Sequence, residues 1–304
     1  MISRIDHNGM RWVDIKNPSP ADIVNIGKEF GLHPHVVEEL LHPTFRPQAE
    51  RFGHHLYLIL HLPVFDYDAG LHRSREIDIV IDKSSLLTVH YETVEPLHDF
   101  FRSLNINLAL RDKIFRHGPE RLLYSLWRHL YENLLGELDH VQKKIDRIEE
   151  RIFAGHEREL IHDISLLRRD ILDFGRAVKP HDSVLEALER ARRDFFSEKF
   201  DDCLYELWSR YRRIASILDA NRDTLETLYA TNDSLLTHRA NEIIKTLTML
   251  ALLTFPLTLI AAIFSINARA LPIIGRPYDF WIILGIMACT ILGMLAFFKY
   301  RRWI

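Results

Sequence analysis

Between Lys245 and Arg269 the chain carries no charge, and the polar side chains of that stretch gather on one side. On a helix starting at Asn241, at about 100° per residue, Asn241, Ile244, Leu247, Thr248, Ala251, Phe255, Thr258, Ala262 and Ser265 fall within about a third of the circumference. Hydroxyl and carboxamide oxygens are hard ligands that can stand in for water around a cation. Such stripes from symmetry-related copies would wall a pore. The other reading is helix packing, because small and hydroxyl residues let membrane helices approach closely. Periodicity on its own favours packing and leaves the pore open. Asn267, at the outer end, also has two readings. Asn often caps a helix C-terminus in the left-handed conformation. A ring of Asn carboxamides could instead hold a hydrated cation, and Mg²⁺ gives up its water reluctantly. Pro256 removes one backbone hydrogen bond in mid-span and can kink the helix.

Other chemistries find little support. No Gly-x-x-x-x-Gly-Lys loop is present, and no nucleophile–base set stands out, so an enzyme is not expected and no cofactor is called for. The 17 histidines include the local pairs His33/His35 and His54/His55, neither at the i, i+4 spacing of a good zinc site; surface histidines are the expectation. Two cysteines, Cys203 and Cys289, make no disulfide framework and suit a reducing cytosol. A net charge of -3 gives no reason to expect a nucleic-acid partner.

The elements that must position the stripe follow from hydropathy. A mean hydropathy of -0.08 hides an asymmetry, with a charged chain up to about residue 240 and an apolar remainder. Residues 246–268 and 280–298 are uncharged and each long enough to cross a bilayer core of about 30 Å. Trp281 and Trp303 stand near the ends of the second span, where interfacial aromatics belong. His238, Arg239 and Lys245 precede the first span, and Lys299, Arg301 and Arg302 follow the second, so both chain ends are expected in the cytoplasm. The polar start of the chain predicts no signal peptide.

Upstream, Arg11–Ile15 reads as a strand, and Ser19 followed by Pro20 as a helix start. Leu56–Phe65 and Glu76–Ile81 read as strands joined by a hairpin-like turn, and Leu86–His90 as another. From about residue 119 the apolar spacing becomes helical, with breaks at Ala154-Gly155 and Lys179-Pro180. A helix is expected from about Phe200 into the first span, on the order of 100 Å long and in want of partners. The expected fold is an α+β cytosolic domain (1–118), a helical hairpin region (119–199), a stalk helix (200–245) and a transmembrane hairpin (246–304).

Several stretches resemble the CorA superfamily of divalent-cation transporters. Asn241-Glu242-Ile243-Ile244-Lys245-Thr246-Leu247-Thr248 and Pro256-Leu257-Thr258-Leu259-Ile260-Ala261 look like its first span. Gly31-Leu32-His33-Pro34, Glu38-Glu39, Arg46-Pro47-Gln48-Ala49-Glu50, Leu87-Thr88-Val89-His90 and Lys299-Tyr300-Arg301-Arg302-Trp303 are similar to its other parts. The resemblance implies a funnel-shaped homopentamer in the inner (cytoplasmic) membrane, with long stalk helices and a central pore for a divalent cation. By position it implies a selectivity ring at Asn267, with the Ser265 carbonyl below it and Thr258 deeper. It implies constrictions at Phe255, Leu247 and Ile244, Thr248 on the same wall, and Asn241 at the inner mouth. A possible regulatory metal position falls at Glu206, among Arg210, Arg212 and Arg213.

The chain departs from the family at the outer mouth. The signature Gly-Met-Asn reads Ser265-Ile266-Asn267, and Leu271-Pro272-Ile273 replaces the acidic Met-Pro-Glu of magnesium-type members. Arg269, Arg276 and Asp279 leave the loop at +1 (two Arg less one Asp), a sign that repels cations. These departures lean toward the zinc-transporting ZntB-like branch, so the transported ion is expected to be Zn²⁺ or Mg²⁺. The rival reading is a membrane-anchored structural or regulatory oligomer that does not conduct.

Overall fold

The computed structural model describes residues 1–44, 47–66, 70–197, 200–265, 278–301 and 303, with the backbone alone at 192–194. Two compact units, Met1–Tyr229 and Ala230–Ile304, divide inside the segment assigned to the stalk.

The first unit is built on a six-stranded sheet. Its strands are β1 (Ile2–His7), β2 (Met10–Lys16), β3 (Gln48–Phe52), β4 (His55–Asp66), β5 (Leu71–Ile81) and β6 (Ser85–His90), in the order β1-β2-β6-β5-β4-β3. The β2–β6 pair is parallel and the other pairs are antiparallel. β6 is buried throughout and β4 nearly so, because both faces of the middle of the sheet are covered. On one face Val13, Ile15, Tyr57, Ile59, Val80, Leu87 and Val89 pack with Ile23, Ile26, Val36 and Leu40. Ile23 and Ile26 come from α1 (Pro20–Phe30), Val36 from α2 (Pro34–Glu39), and Leu40 is the C-cap of α2.

α1 begins as its sequence predicts. Ser19 is the N-cap in a capping box with Asp22, and Pro20 is the first helical residue. Gly31 closes it at φ 62°, a left-handed position that favours glycine. Gly27 lets α2 approach: a Cβ there would stand 2.7 Å from Val37 Cγ2.

On the opposite face Trp12 packs on Phe100 and Phe101 of α3 (Glu95–Ile106), with ring centroids 5.8 and 4.8 Å away. Its indole donates to Thr88 Oγ1 at 3.1 Å, and that hydroxyl donates to Asp14 at 2.6 Å, so the buried polar groups are satisfied. Asp78, fully buried, accepts from the Tyr57 hydroxyl at 2.7 Å. Burial, and then the charge of Glu76, push its carboxyl well above the usual range.

The chain continues through α4 (Leu108–Phe115), α5 (Pro119–Phe153), α6 (Leu160–Val178) and α7 (His181–Phe195). α6 and α7 pack on the β3–β5 side of the sheet and α5 packs on α6. The two breaker positions fall where these helices end, just after Phe153 and Val178.

α8 (Phe200–Ser265) runs as one helix through Pro256. In the first unit Phe200, Leu204, Leu207, Tyr211, Ile214, Leu218, Leu225 and Leu228 are buried at helical spacing. In the second unit the rest of α8 and α9 (Asp279–Tyr300) are both long and apolar enough to cross a membrane. Near the end of α9, Phe298 is buried and stacks on Trp303 at 5.8 Å and 7°.

Candidate ion pathway

Asn241, Ile244, Leu247, Thr248, Phe255, Thr258 and Ser265 all lie on α8 in the second unit and are exposed in the single chain. Ile244, Leu247 and Phe255 expose 59%, 60% and 72% of their surface and stand in a contiguous run of exposed apolar side chains rather than singly. Along a helix rising 1.5 Å per residue, Asn241 and Ser265 stand about 36 Å apart, enough to cross the hydrocarbon layer. Asn267 lies outside the described residues, and so does most of the outer loop.

Half-buried positions on the same helix are Met249, Leu253, Pro256, Leu257, Ile260 and Phe264. They form a second stripe at helical spacing, distinct from the first. Leu253, Leu257, Ile260 and Phe264 share a helix face with Leu250, which is 61% exposed.

The hydroxyls on the exposed stripe are oriented by the backbone. Thr248 donates to the Ile244 carbonyl at 2.8 Å and Thr258 to the Thr254 carbonyl at 2.9 Å. A threonine that donates its proton to the preceding turn keeps both oxygen lone pairs as acceptors. These oxygens can therefore coordinate a cation or hydrogen-bond its water without first turning a proton away. Pro256 has no N–H to offer the Leu252 carbonyl, which frees another acceptor in the same span.

Glu206 sits in the first unit, in an ion-pair lattice. It accepts from the Tyr124 hydroxyl of α5, and Arg210 Nη2 reaches it at 2.8 Å. Arg210 also meets Glu132 at 3.3 Å, and Arg128 meets Glu132 at 2.9 Å and Glu206 at 3.9 Å. The Tyr124 hydrogen bond, with Arg210 beside it, holds the Glu206 carboxyl below its usual range. Among the described residues no group of three His, Cys, Asp or Glu converges to hold a metal ion. Tyr124, Arg128 and Glu132 escape a sequence reading because the fold brings them to Glu206 from a different helix.

The histidine pairs serve locally. His33 is the N-cap of α2, its ring nitrogen accepting from the His35 N–H at 3.3 Å, and both rings lie against Phe52. His55 stands 3.9 Å from Asp82.

Comparison with known proteins places this architecture. A family model described as CorA-like Mg2+ transporter protein matches residues 7–301. The Cobalt/magnesium transport protein CorA of Thermotoga maritima is 25% identical, over 98% of this chain and 85% of the relative. The complete structure of the CorA magnesium transporter from Methanocaldococcus jannaschii superposes with a TM-score of 0.85 at 21% identity, covering 99% of this chain and 93% of the other. The ZntB cytoplasmic domain from Vibrio parahaemolyticus gives a TM-score of 0.54 at 13% identity, over 78% of this chain and 90% of that domain. At these structural identities the likeness concerns the fold: with the complete CorA structure, a soluble α/β domain, a long helix and two C-terminal apolar helices.

Proposed function

The chain belongs to the CorA-like Mg2+ transporter family, and from that premise we propose that it carries a divalent metal cation across the cytoplasmic membrane through the central pore of a homopentamer. In this reading both chain ends lie in the cytoplasm. The observation that carries it is the row on α8. Seven residues picked from spacing stand exposed along one helix, with the hydroxyls of Thr248 and Thr258 offering lone pairs rather than protons. Copies arranged around an axis cover that row and give a cation an oxygen-lined path.

Asn267, the Ser265 carbonyl and Thr258 form the selectivity region, and Phe255, Leu247 and Ile244 narrow the path, with Thr248 on the same wall. Asn241 is the inner mouth. Glu206, the possible regulatory metal position, is already paired with Arg210 at 2.8 Å, and this reading assigns it no gating metal.

Two observations bear on the ion. The relatives' names favour Mg²⁺ or Co²⁺. The altered Ser265-Ile266-Asn267 and the +1 outer loop (Arg269 and Arg276 less Asp279) depart from the magnesium-type pattern and lean toward Zn²⁺, as in the ZntB-like branch. Reconstituted liposome flux with Zn²⁺, Mg²⁺, Co²⁺ and Ni²⁺, with and without a pH gradient, separates them. The expected result is uptake of at least one ion, reduced by Asn267→Ala. If no ion enters and Asn267→Ala changes nothing, the transport reading fails and the non-conducting oligomer replaces it.

A further inference from the structure

His72 has a carboxylate at each end of its ring. Only 3% of the residue is exposed. Its Nδ1 lies 2.9 Å from Asp170 Oδ1 on α6, and its backbone N–H donates to the same oxygen at 2.6 Å. Its Nε2 lies 3.3 Å from Glu137 Oε2 on α5. The rings of Phe65 on β4 and Phe174 on α6 close on it edge-on, at 5.3 and 5.2 Å. A neutral imidazole has one N–H, so it would turn a bare nitrogen lone pair toward one of the two carboxylates. Only the imidazolium donates to both.

Asp170 sharpens the demand. It is fully buried, and among the described residues its Oδ2 has no hydrogen-bond partner; Lys144 Nζ of α5 stands 3.8 Å from it. A buried carboxylate is costly unless paired. His72 supplies two of its hydrogen bonds and the closer positive charge.

We propose that His72, Asp170 and Glu137 form a proton-operated clasp that holds α6 and α5 to the end of the β4–β5 hairpin, closed while His72 is protonated and loosened when it is not. α6 offers Asp170. α5 offers Glu137, with His140 and Lys144 acting on that carboxylate. β4 offers the Phe65 ring, and its next residue, Asp66, pairs with Arg73 of β5 at 3.0 Å. Burial pushes the imidazole down, but the hydrogen bonds to Asp170 and Glu137 outweigh it and leave it above the ordinary histidine range. The sign follows. A histidine raised by folding contributes its full stabilisation below its unfolded value of about 6.5, and that contribution is lost as pH rises through the raised value. The clasp is therefore closed in mild acid and opens on the alkaline side.

Amide hydrogen exchange of the full chain in detergent tests this, followed by mass spectrometry between pH 6 and pH 9 with rates corrected for intrinsic exchange. Protection in α6 and at the start of β5 is expected to fall about tenfold for each pH unit separating the raised and ordinary values. Protection in β1 and α3 is expected to stay level. In Glu137→Gln, a change at a partly exposed position, the pH at which α6 loosens is expected to move down. In His72→Gln the α6 response is expected to disappear. Equal α6 protection at both pH values in the natural chain overturns the clasp. So does a midpoint unmoved in Glu137→Gln, which keeps the test decisive even if His72→Gln fails to fold.

Discussion

Arg210 Nη2 meets Glu206 Oε1 at 2.8 Å, one helical turn along α8, and the same arginine reaches Glu132 on α5. The carboxylate that family position marks for a regulatory metal is thereby already met by a cation of its own chain. Its side chain is 41% exposed, so the pair is screened by solvent and contributes at most about 1 kcal/mol.

Glu206→Gln is therefore expected to leave the dependence of flux on internal divalent cations unchanged and to lower the unfolding temperature only slightly. Flux from liposomes loaded with increasing Mg²⁺ or Zn²⁺ checks it. Inhibition present in the natural protein and absent in the variant would establish Glu206 as a metal ligand.

Thr258→Val keeps the shape and removes the oxygen. A single oxygen contact to a charged partner is worth about 1.5–3 kcal/mol, so uptake is expected to fall about tenfold or more while the oligomer survives. Thr258→Ser restores the oxygen and is expected to recover most of the flux. Thr246→Val is the control: its hydroxyl makes the same kind of bond, to the Glu242 carbonyl at 2.9 Å, but helical spacing puts it on the opposite side of the helix from the stripe. Equal losses at 246 and 258 would mean that the stripe is a packing surface.

His181 predicts a separate acid sensitivity. Its Nε2 lies 2.8 Å from the His61 carbonyl and its Nδ1 3.2 Å from the Tyr131 hydroxyl, in full burial. Burial pushes the imidazole down to about 4. The depressed value means that the folded state holds the neutral ring while the unfolded chain takes up a proton below about 6.5, so stability falls as pH drops from about 6.5 toward 4. The loss is on the order of 2 kcal/mol by pH 5 and about 3 kcal/mol once pH falls below 4. Thermal unfolding at pH 7 and pH 5 measures it, and His181→Asn is expected to flatten this part of the pH dependence.

Much of the architecture was legible because its signals are local. Uncharged runs bounded by Lys245, Arg269, Asp279 and Lys299 declare two spans, since each charged residue in hydrocarbon is costly. Ser19-Pro20 starts α1 through contacts made within one turn. β1 and β3 went unread because they are edge strands: Ile5 is the one buried residue of β1, and β3 has none. Their existence rests on partners, Ile5 opposite Trp12 and Ala49 opposite Leu58, rather than on an apolar pattern of their own.

By itself, then, the sequence determined which residues can share a helix face. At 3.6 residues per turn that is fixed by spacing, so the row from Asn241 to Ser265 could be written down before any fold was known. Only the tertiary structure decided what each carboxylate meets. Glu206 finds Tyr124, and His72 finds both Asp170 and Glu137, across sequence separations of 82, 98 and 65 residues. Spacing cannot reveal such pairs. They exist because burying the apolar faces of α5, α6 and α8 brings distant polar groups side by side, in solvent-screened contact at Glu206 and in burial at His72, where an unpaired group is costly.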